Sequence, residues 1–132
     1  MNDSAKVVVT AQRAMEGFAH GNATGEWKPY LDMLTEDFTF WIPGGKFQGK
    51  NVGKERAEAF CYHISVEQHA KLNFFPPYRV TSHENTIVFE FEDEGSIMNQ
   101  PVKNRLAFSF DVRDEKVCAC REYIGIADPF AK

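Results

Sequence analysis

The chain has 132 residues, 43% of them hydrophobic and 14% aromatic, a size and composition that suit one domain with one core, spanning residues 1–132, without support from disulfides or metal. Fifteen basic against nineteen acidic residues leave a net charge of −4 with no basic run, which argues against nucleic acid and anionic membrane surfaces as partners. No stretch is apolar enough for a signal peptide or a membrane span, and an odd count of three cysteines points to free thiols in a reduced, cytoplasmic compartment.

Ser4 caps a helix predicted to run to about His20, because Val7, Val8, Ala11, Ala14, Met15 and Phe18 recur at spacings of three and four. Gly21 and Asn22 read as its stop. A short second helix is expected around GEWKPYLDMLTED, with Trp27, Tyr30, Leu31 and Leu34 on one face and Pro29 confined to the first turn. The strand FTFWI follows and ends at PGG. KFQGKNVG reads as a short hairpin or turn that opens a third helix, from about Val52 to Val66, anchored by Phe60 and Ile64.

After His69 the period changes to two. LNFF and YRV read as one edge strand interrupted at Pro76 and Pro77. TIVFEFED places Ile87, Phe89 and Phe91 on one side and Val88, Glu90 and Glu92 on the other. RLAFSFDV does the same with Leu106, Phe108, Phe110 and Val112 against Arg105, Ala107, Ser109 and Asp111. RDEK is a turn, and KVCACREYIGI is the last strand, with Cys118, Cys120, Glu122 and Ile124 facing away from Val117, Ala119, Arg121 and Tyr123. Helices followed by long antiparallel strands make an α+β plan, three N-terminal helices on one face of a curved, mostly antiparallel sheet. Such a sheet encloses a cone; composition leaves open whether its phenylalanines wall a pocket or fill a core.

The order and spacing of an AHGN helix end, YLDMLTEDFTFWIPGG, GKNVGKERAEAF and a closing REY span nearly the whole chain. In these features the chain resembles the nuclear-transport-factor-2-like superfamily, and within it the SnoaL-like polyketide cyclases and ketosteroid isomerases. The resemblance implies a cone-shaped, cystatin-like barrel. It also implies a homodimer formed through the outer sheet face, where Arg121 and Tyr123 lie, and an apolar pocket for a small apolar molecule at the wide end. The helices would line this pocket with Ala14, Phe18 and Phe60, and the first and last strands with Phe40, Ile42, Cys118 and Cys120. The remaining wall would come from Ile87, Phe89, Phe91 and Phe108, while Trp41 faces the opposite layer.

The isomerases' catalytic groups have no counterpart here. Their general-base aspartate precedes the proline after the first strand, a place held by Ile42. Their oxyanion tyrosine falls at Ala14, and their protonated aspartate at Ala107 or Phe108. Ketosteroid isomerisation needs a base at the α-proton and donors at the enolate oxygen, so that activity is not expected.

Three other side chains carry the catalytic expectation. Glu122, on the face shared with Cys120, is an acid or base of raised pKa if that face lines the cone; otherwise it faces solvent or pairs with Arg105 or Arg121. His63, one turn after Phe60, is either a proton shuttle or a histidine bonded to a carbonyl at the core edge. Tyr30 either presents its hydroxyl to a ligand or belongs to an aromatic core stripe. Asp37 is expected to take a backbone hydrogen bond at its turn. Cys118, Cys120 and His63 give three ligands where structural zinc takes four, so no metal is expected. The glycines of PGGKFQGKNVG lack the Lys-Ser/Thr of a phosphate loop, and no cofactor is expected. Three functions stand open: an acid/base enzyme of the isomerase, cyclase or hydratase kind, a non-catalytic binder of an apolar ligand, and a structural dimer whose cone is plugged.

Overall fold

The computed structural model describes residues 3–126. Helix α1 covers Asp3–Thr24 and buries Ala11, Ala14, Met15 and Phe18 against the sheet, as its stripe requires. It runs past Gly21 and Asn22 instead of stopping there. Gly21 is a packing gap: a Cβ on it would lie 2.2 Å from the ring of Trp27. Asn22 stays helical by donating from its side-chain Nδ2 to the Phe18 carbonyl at 2.9 Å. The stop is Gly25, whose φ of 83° closes the last turn with a 2.8 Å bond from its N–H to the Gly21 carbonyl.

Helix α2 is a single turn, Lys28–Leu31, with proline at its start, and Trp27 and Tyr30 are buried beside it. Leu34 belongs to strand β1, Leu34–Ile42, not to the helix; its Cα partner across the sheet is Val117. Along β1, Phe38, Phe40 and Ile42 are buried and Trp41 is exposed. The segment after PGG forms strand β2, Gly49–Val52, antiparallel to β1, so Val52 precedes the third helix. Helix α3, Lys54–Tyr62, follows Gly53, whose φ is 101°, and passes into a π turn at His63–Glu67.

Strands β3, Lys71–Phe74, and β4, Arg79–His83, both pair with β5, Thr86–Ile97, on either side of the two prolines. Strand β6 covers Gln100–Arg113 and β7 covers Lys116–Ile126. The sheet order is β2-β1-β7-β6-β5-β3, with β4 also on β5; β1 and β7 run parallel and the other pairs antiparallel. The expected α+β architecture is therefore present, three helices against one curved sheet.

The ladder between β6 and β7 carries one irregularity. Val112 pairs with Val117 and Asp111 pairs with Ala119, so Cys118 is an extra, unpaired residue, a β-bulge. Val117 is fully buried; the Cys118 thiol donates to the Asp111 carbonyl at 3.5 Å. Beyond the bulge Cys120 is buried, and Arg121 binds the Asp111 carboxylate at 2.8 and 3.0 Å and Ser109 at 2.8 Å. Asp37 pairs with the Arg113 side chain and also takes a bond from its own backbone N–H, as expected at its turn. Phe38, Phe89, Phe91, Phe108 and Phe110 are fully buried and form the centre of the core.

The packing at Gly21 yields a direct test. Gly21→Ala drives a methyl into the Trp27 ring and is expected to lower stability by roughly 1–3 kcal/mol in urea unfolding. Gly44→Ala, whose Cβ meets nothing within 4 Å, should change stability by less than about 0.5 kcal/mol.

Candidate functional site

The end of α1, the loop after β1, α3 with its π turn, and the inner faces of β3, β5, β6 and β7 surround a cavity of about 370 Å³. Phe18, Ile42, Phe60 and Phe108 form its neck, where it meets an inner recess of about 10 Å³ lined also by Tyr30, Phe38, Phe40 and Cys120. That recess has room for about one water molecule. Glu122 lines both spaces and so stands at the neck.

Strand geometry puts Glu122 there. Its Cα partner on β6 is Phe108, whose ring is buried. Without the bulge, strict alternation from the buried Val117 would turn Arg121 and Tyr123 inward and Glu122 outward. The carboxyl makes neither a hydrogen bond nor an ion pair among the described residues. It does not pair with Arg105, which stacks on Tyr78 at 4.7 Å, nor with Arg121, which is committed to Asp111. Burial, with Asp93 adding to it, pushes the Glu122 pKa up to about 7.

Asp93, one step beyond Phe91 on the same face of β5, lines the cavity and is 1% exposed. Asn104, its partner on β6, donates to it at 2.9 Å, and burial raises its pKa against that bond. His63 lines the cavity from the π turn. Its Nδ1 lies 2.8 Å from the Glu67 carboxylate, which Lys46 also binds at 3.0 Å, and its ring lies 5.3 Å from Phe47. The Lys46 bond, then the His63 bond, hold Glu67 below the usual carboxylate range. Tyr30 is buried in the recess, and desolvation together with Cys120, Cys61 and Glu122 raises its pKa well above the ordinary value. Burial likewise raises Cys120 and takes Cys61 to about 12, so both remain thiols and neither is a ready nucleophile.

The structure thus places Glu122 on the walls of both adjoining spaces, His63 on the wall of the outer one and Tyr30 on that of the recess. Phe18, Ile42, Phe60 and Phe108 line both compartments, and Phe40 and Cys120 line the recess. Four expected wall residues lie elsewhere: Ala14, Ile87, Phe89 and Phe91 are fully buried in the packed core, because the helices sit directly on that part of the sheet. Cys118 is also off the wall, displaced by the bulge. Sequence reasoning missed Asp93, Asn104 and Asn22. The alternation through Ile87, Phe89 and Phe91 extends to Asp93 if carried one step further; Asn22 was hidden by its reading as a helix stop. No group of three or more His, Cys, Asp or Glu suited to a metal ion occurs among the described residues. No described helix is long and apolar enough to cross a membrane.

Helices closing a curved sheet over a cavity that Glu122 and Asp93 help to line define an α+β cone fold. An NTF2-like protein from Anabaena variabilis is 51% identical, matches 95% of this chain and 93% of its own, and superimposes with a TM-score of 0.88. The chain belongs to the NTF2-like family. A protein assigned as a SnoaL-like polyketide cyclase from Jannaschia sp. shares the fold at 19% identity, over 94% of this chain and 88% of its own, with a TM-score of 0.76. TerC, crystallised with polyporic acid, does so at 13% identity, over 91% and 92%, with a TM-score of 0.74. No protein-family model and no curated protein matches the chain.

The position of Glu122 gives stability a definite pH dependence. Its pKa in the fold is about 7 against an ordinary 4.5, so between these values the folded chain holds a proton that the unfolded chain has lost. Stability from this group therefore falls as pH rises through that window, by roughly 3 kcal/mol in all. Glu122→Gln should remove this loss: from pH 4 to pH 8 the wild type loses more stability than the variant by about that amount, as read from urea midpoints at each pH.

Proposed function

We propose that this chain binds a small, largely apolar molecule in the 370 Å³ cavity and that Glu122 exchanges a proton with it. The chemistry is acid/base catalysis of the isomerase, cyclase or hydratase kind, and not ketosteroid isomerisation, for Ile42, Ala14 and Ala107 or Phe108 stand where that reaction needs its base and donors. One observation carries the reading: a carboxyl with no protein partner among the described residues stands at the neck of an apolar chamber, with a pKa of about 7. A group poised near neutrality gives and takes protons with little loss in either direction. His63, held by Glu67, serves as the second proton carrier from the outer chamber, and Tyr30 as the donor from the recess. The SnoaL-like and polyporic-acid-bound neighbours support small-molecule binding as a use of this fold; the reaction comes from this chain's own residues.

A purely structural role for the cone fits less well, because the cavity exceeds the ~300 Å³ floor usual for ligand sites. On the outer face, Trp41 and Tyr123 lie against each other at 5.6 Å and are both exposed, beside the neutralised Arg121–Asp111 pair. We propose that this face meets a second copy of the chain, since aromatic side chains beside internally paired charges suit an interface core. The reduced, cytoplasmic location read from the sequence belongs to the same proposal.

Two measurements check these readings. With a substrate in hand, Glu122→Gln should lower kcat by about 10²–10⁴-fold, and the wild-type kcat/KM profile should carry an ionisation near 7 that the variant lacks. Unchanged turnover would remove Glu122 from the chemistry, and binding without turnover in the wild type would leave a non-catalytic binder. In native mass spectrometry the wild type should be a dimer and Tyr123→Glu a monomer; a wild-type monomer removes the dimer proposal.

A further inference from the structure

The hydrogen bonds around the cavity are distributed unevenly between donors and acceptors. Among the lining side chains, Asn22 already donates from its amide nitrogen to the Phe18 carbonyl, Asn104 to Asp93, and Lys46 to Glu67. The His63 nitrogen nearest Glu67 is likewise engaged. Left without a partner among the described residues are the acceptors of Glu122 (both oxygens), Asn22 and Asn104 (side-chain carbonyls), together with the Gln68 amide, the second His63 ring nitrogen and, in the recess, the Tyr30 hydroxyl; none of these carries a fixed positive charge. Lys46 is the one cationic side chain on the wall among the described residues, and it is held at the rim on the π turn. Two carboxyls, Glu122 and the buried Asp93, therefore share this chamber, and among the described residues neither is paired with a cationic side chain.

The apolar side of the wall has a matching property. Phe18, Phe74 and Phe108 line the chamber as a cluster, with ring centroids 5.9 Å apart for Phe18 and Phe74, 5.3 Å for Phe18 and Phe108, and 6.1 Å for Phe74 and Phe108. Aromatic rings carry negative potential on their faces and attract cations as well as apolar groups. Buried carboxylates, for their part, are stable when paired.

We infer that the cavity selects a molecule with an aromatic or alicyclic body and a protonated amine, the ammonium pairing with Glu122 on the Asp93 side and the body resting on Phe18, Phe74 and Phe108. The inference rests on the proposed cavity-binding function and names its ligand class. It also orders the proton traffic: a donor-bearing ligand meets Glu122 as a carboxylate, so Glu122 acts first as a base. An anionic ligand would face two carboxyls, with only the uncharged Gln68 amide, the second His63 nitrogen and the Tyr30 hydroxyl to set against them.

Three probes with one body and different heads test this: 2-phenylethylamine, 2-phenylethanol and phenylacetate, titrated by calorimetry into the wild-type protein at pH 8. At that pH the amine is protonated and Glu122 is ionised; Asp93 from β5, Tyr30 from α2, Cys120 from β7 and His63 from the π turn are the other titratable groups around the same space. The amine should bind about ten-fold tighter than the alcohol, and phenylacetate more weakly than either, in line with the greater strength of charge-assisted hydrogen bonds. Glu122→Gln should close the gap between amine and alcohol, and Asp93→Asn should narrow it. If phenylacetate matches the amine, or the alcohol does, the charge assignment is overturned while the cavity stands as a binding site. If none of the three binds, the binding function itself is overturned, and the ligand class with it. The wild-type ranking decides the matter even where a variant fails to fold.

Discussion

A single unpaired residue sets which side chains enter this protein and which leave it. Strand β7 must bury Val117 against Val112 near its start and present Glu122 to the cavity five residues later, and a regular strand cannot do both. The bulge at Cys118 resolves the conflict. It is fastened on both sides, by the Cys118 thiol on the Asp111 carbonyl and by the Val117 N–H on the Met33 carbonyl at 2.8 Å. Beyond it Arg121 turns outward to Asp111 and Ser109, Tyr123 turns outward to Trp41, and Glu122 turns inward. The acid of the site, the charge network of the outer face and the exposed aromatic pair all follow from that one insertion.

The second determinant is the ring cluster around Phe18, which touches Trp27, Tyr30, Phe74 and Phe108 and ties α1 and α2 to the sheet. Burying each such ring contributes roughly 1.5–3 kcal/mol. Part of the cluster is also cavity wall, so the same side chains that hold the fold shape the chamber. This arrangement leaves the low-dielectric environment in which a lone carboxyl titrates near neutrality. The apolar wall and the perturbed acid are two results of one packing decision.

The sequence was most legible where structure is a local period. The alternation of β5 and β6, the stripe of α1 and the edge character of the strands flanking Pro76 and Pro77 are visible in neighbouring residues alone, and so is the plan of helices against a curved sheet. Legibility ended where a residue's role depends on a distant partner. Gly21 looks like a stop because glycine usually is one; only the Trp27 ring in its place shows the helix must continue. Leu34 shares a helical spacing with Tyr30 and Leu31, but its pairing with Val117 makes it strand. The bulge at Cys118 is a property of the β6–β7 ladder and leaves no mark in β7 alone. Alternation along β7 puts Glu122 on the face of Cys120 without saying whether that face lines the cone, and it puts Cys118 there too, where the bulge removes it. Ile87, Phe89 and Phe91 were assigned the right face and the wrong neighbour, since facing inward does not distinguish open space from packed helix.

The position of β7 in the sheet has a consequence for how the molecule comes into being. The last strand of the chain lies between β6 and β1, parallel to β1, near the middle of the sheet. Its partners Leu34 and Thr39–Trp41 are separated from it by all the intervening strands and α3, so this pairing closes a long loop. Such non-local pairing slows folding and makes the completed sheet wait for β7. Until β7 docks, α1, α2 and β1 therefore keep part of their aromatic faces uncovered, and the strand that covers them is the one that carries Glu122.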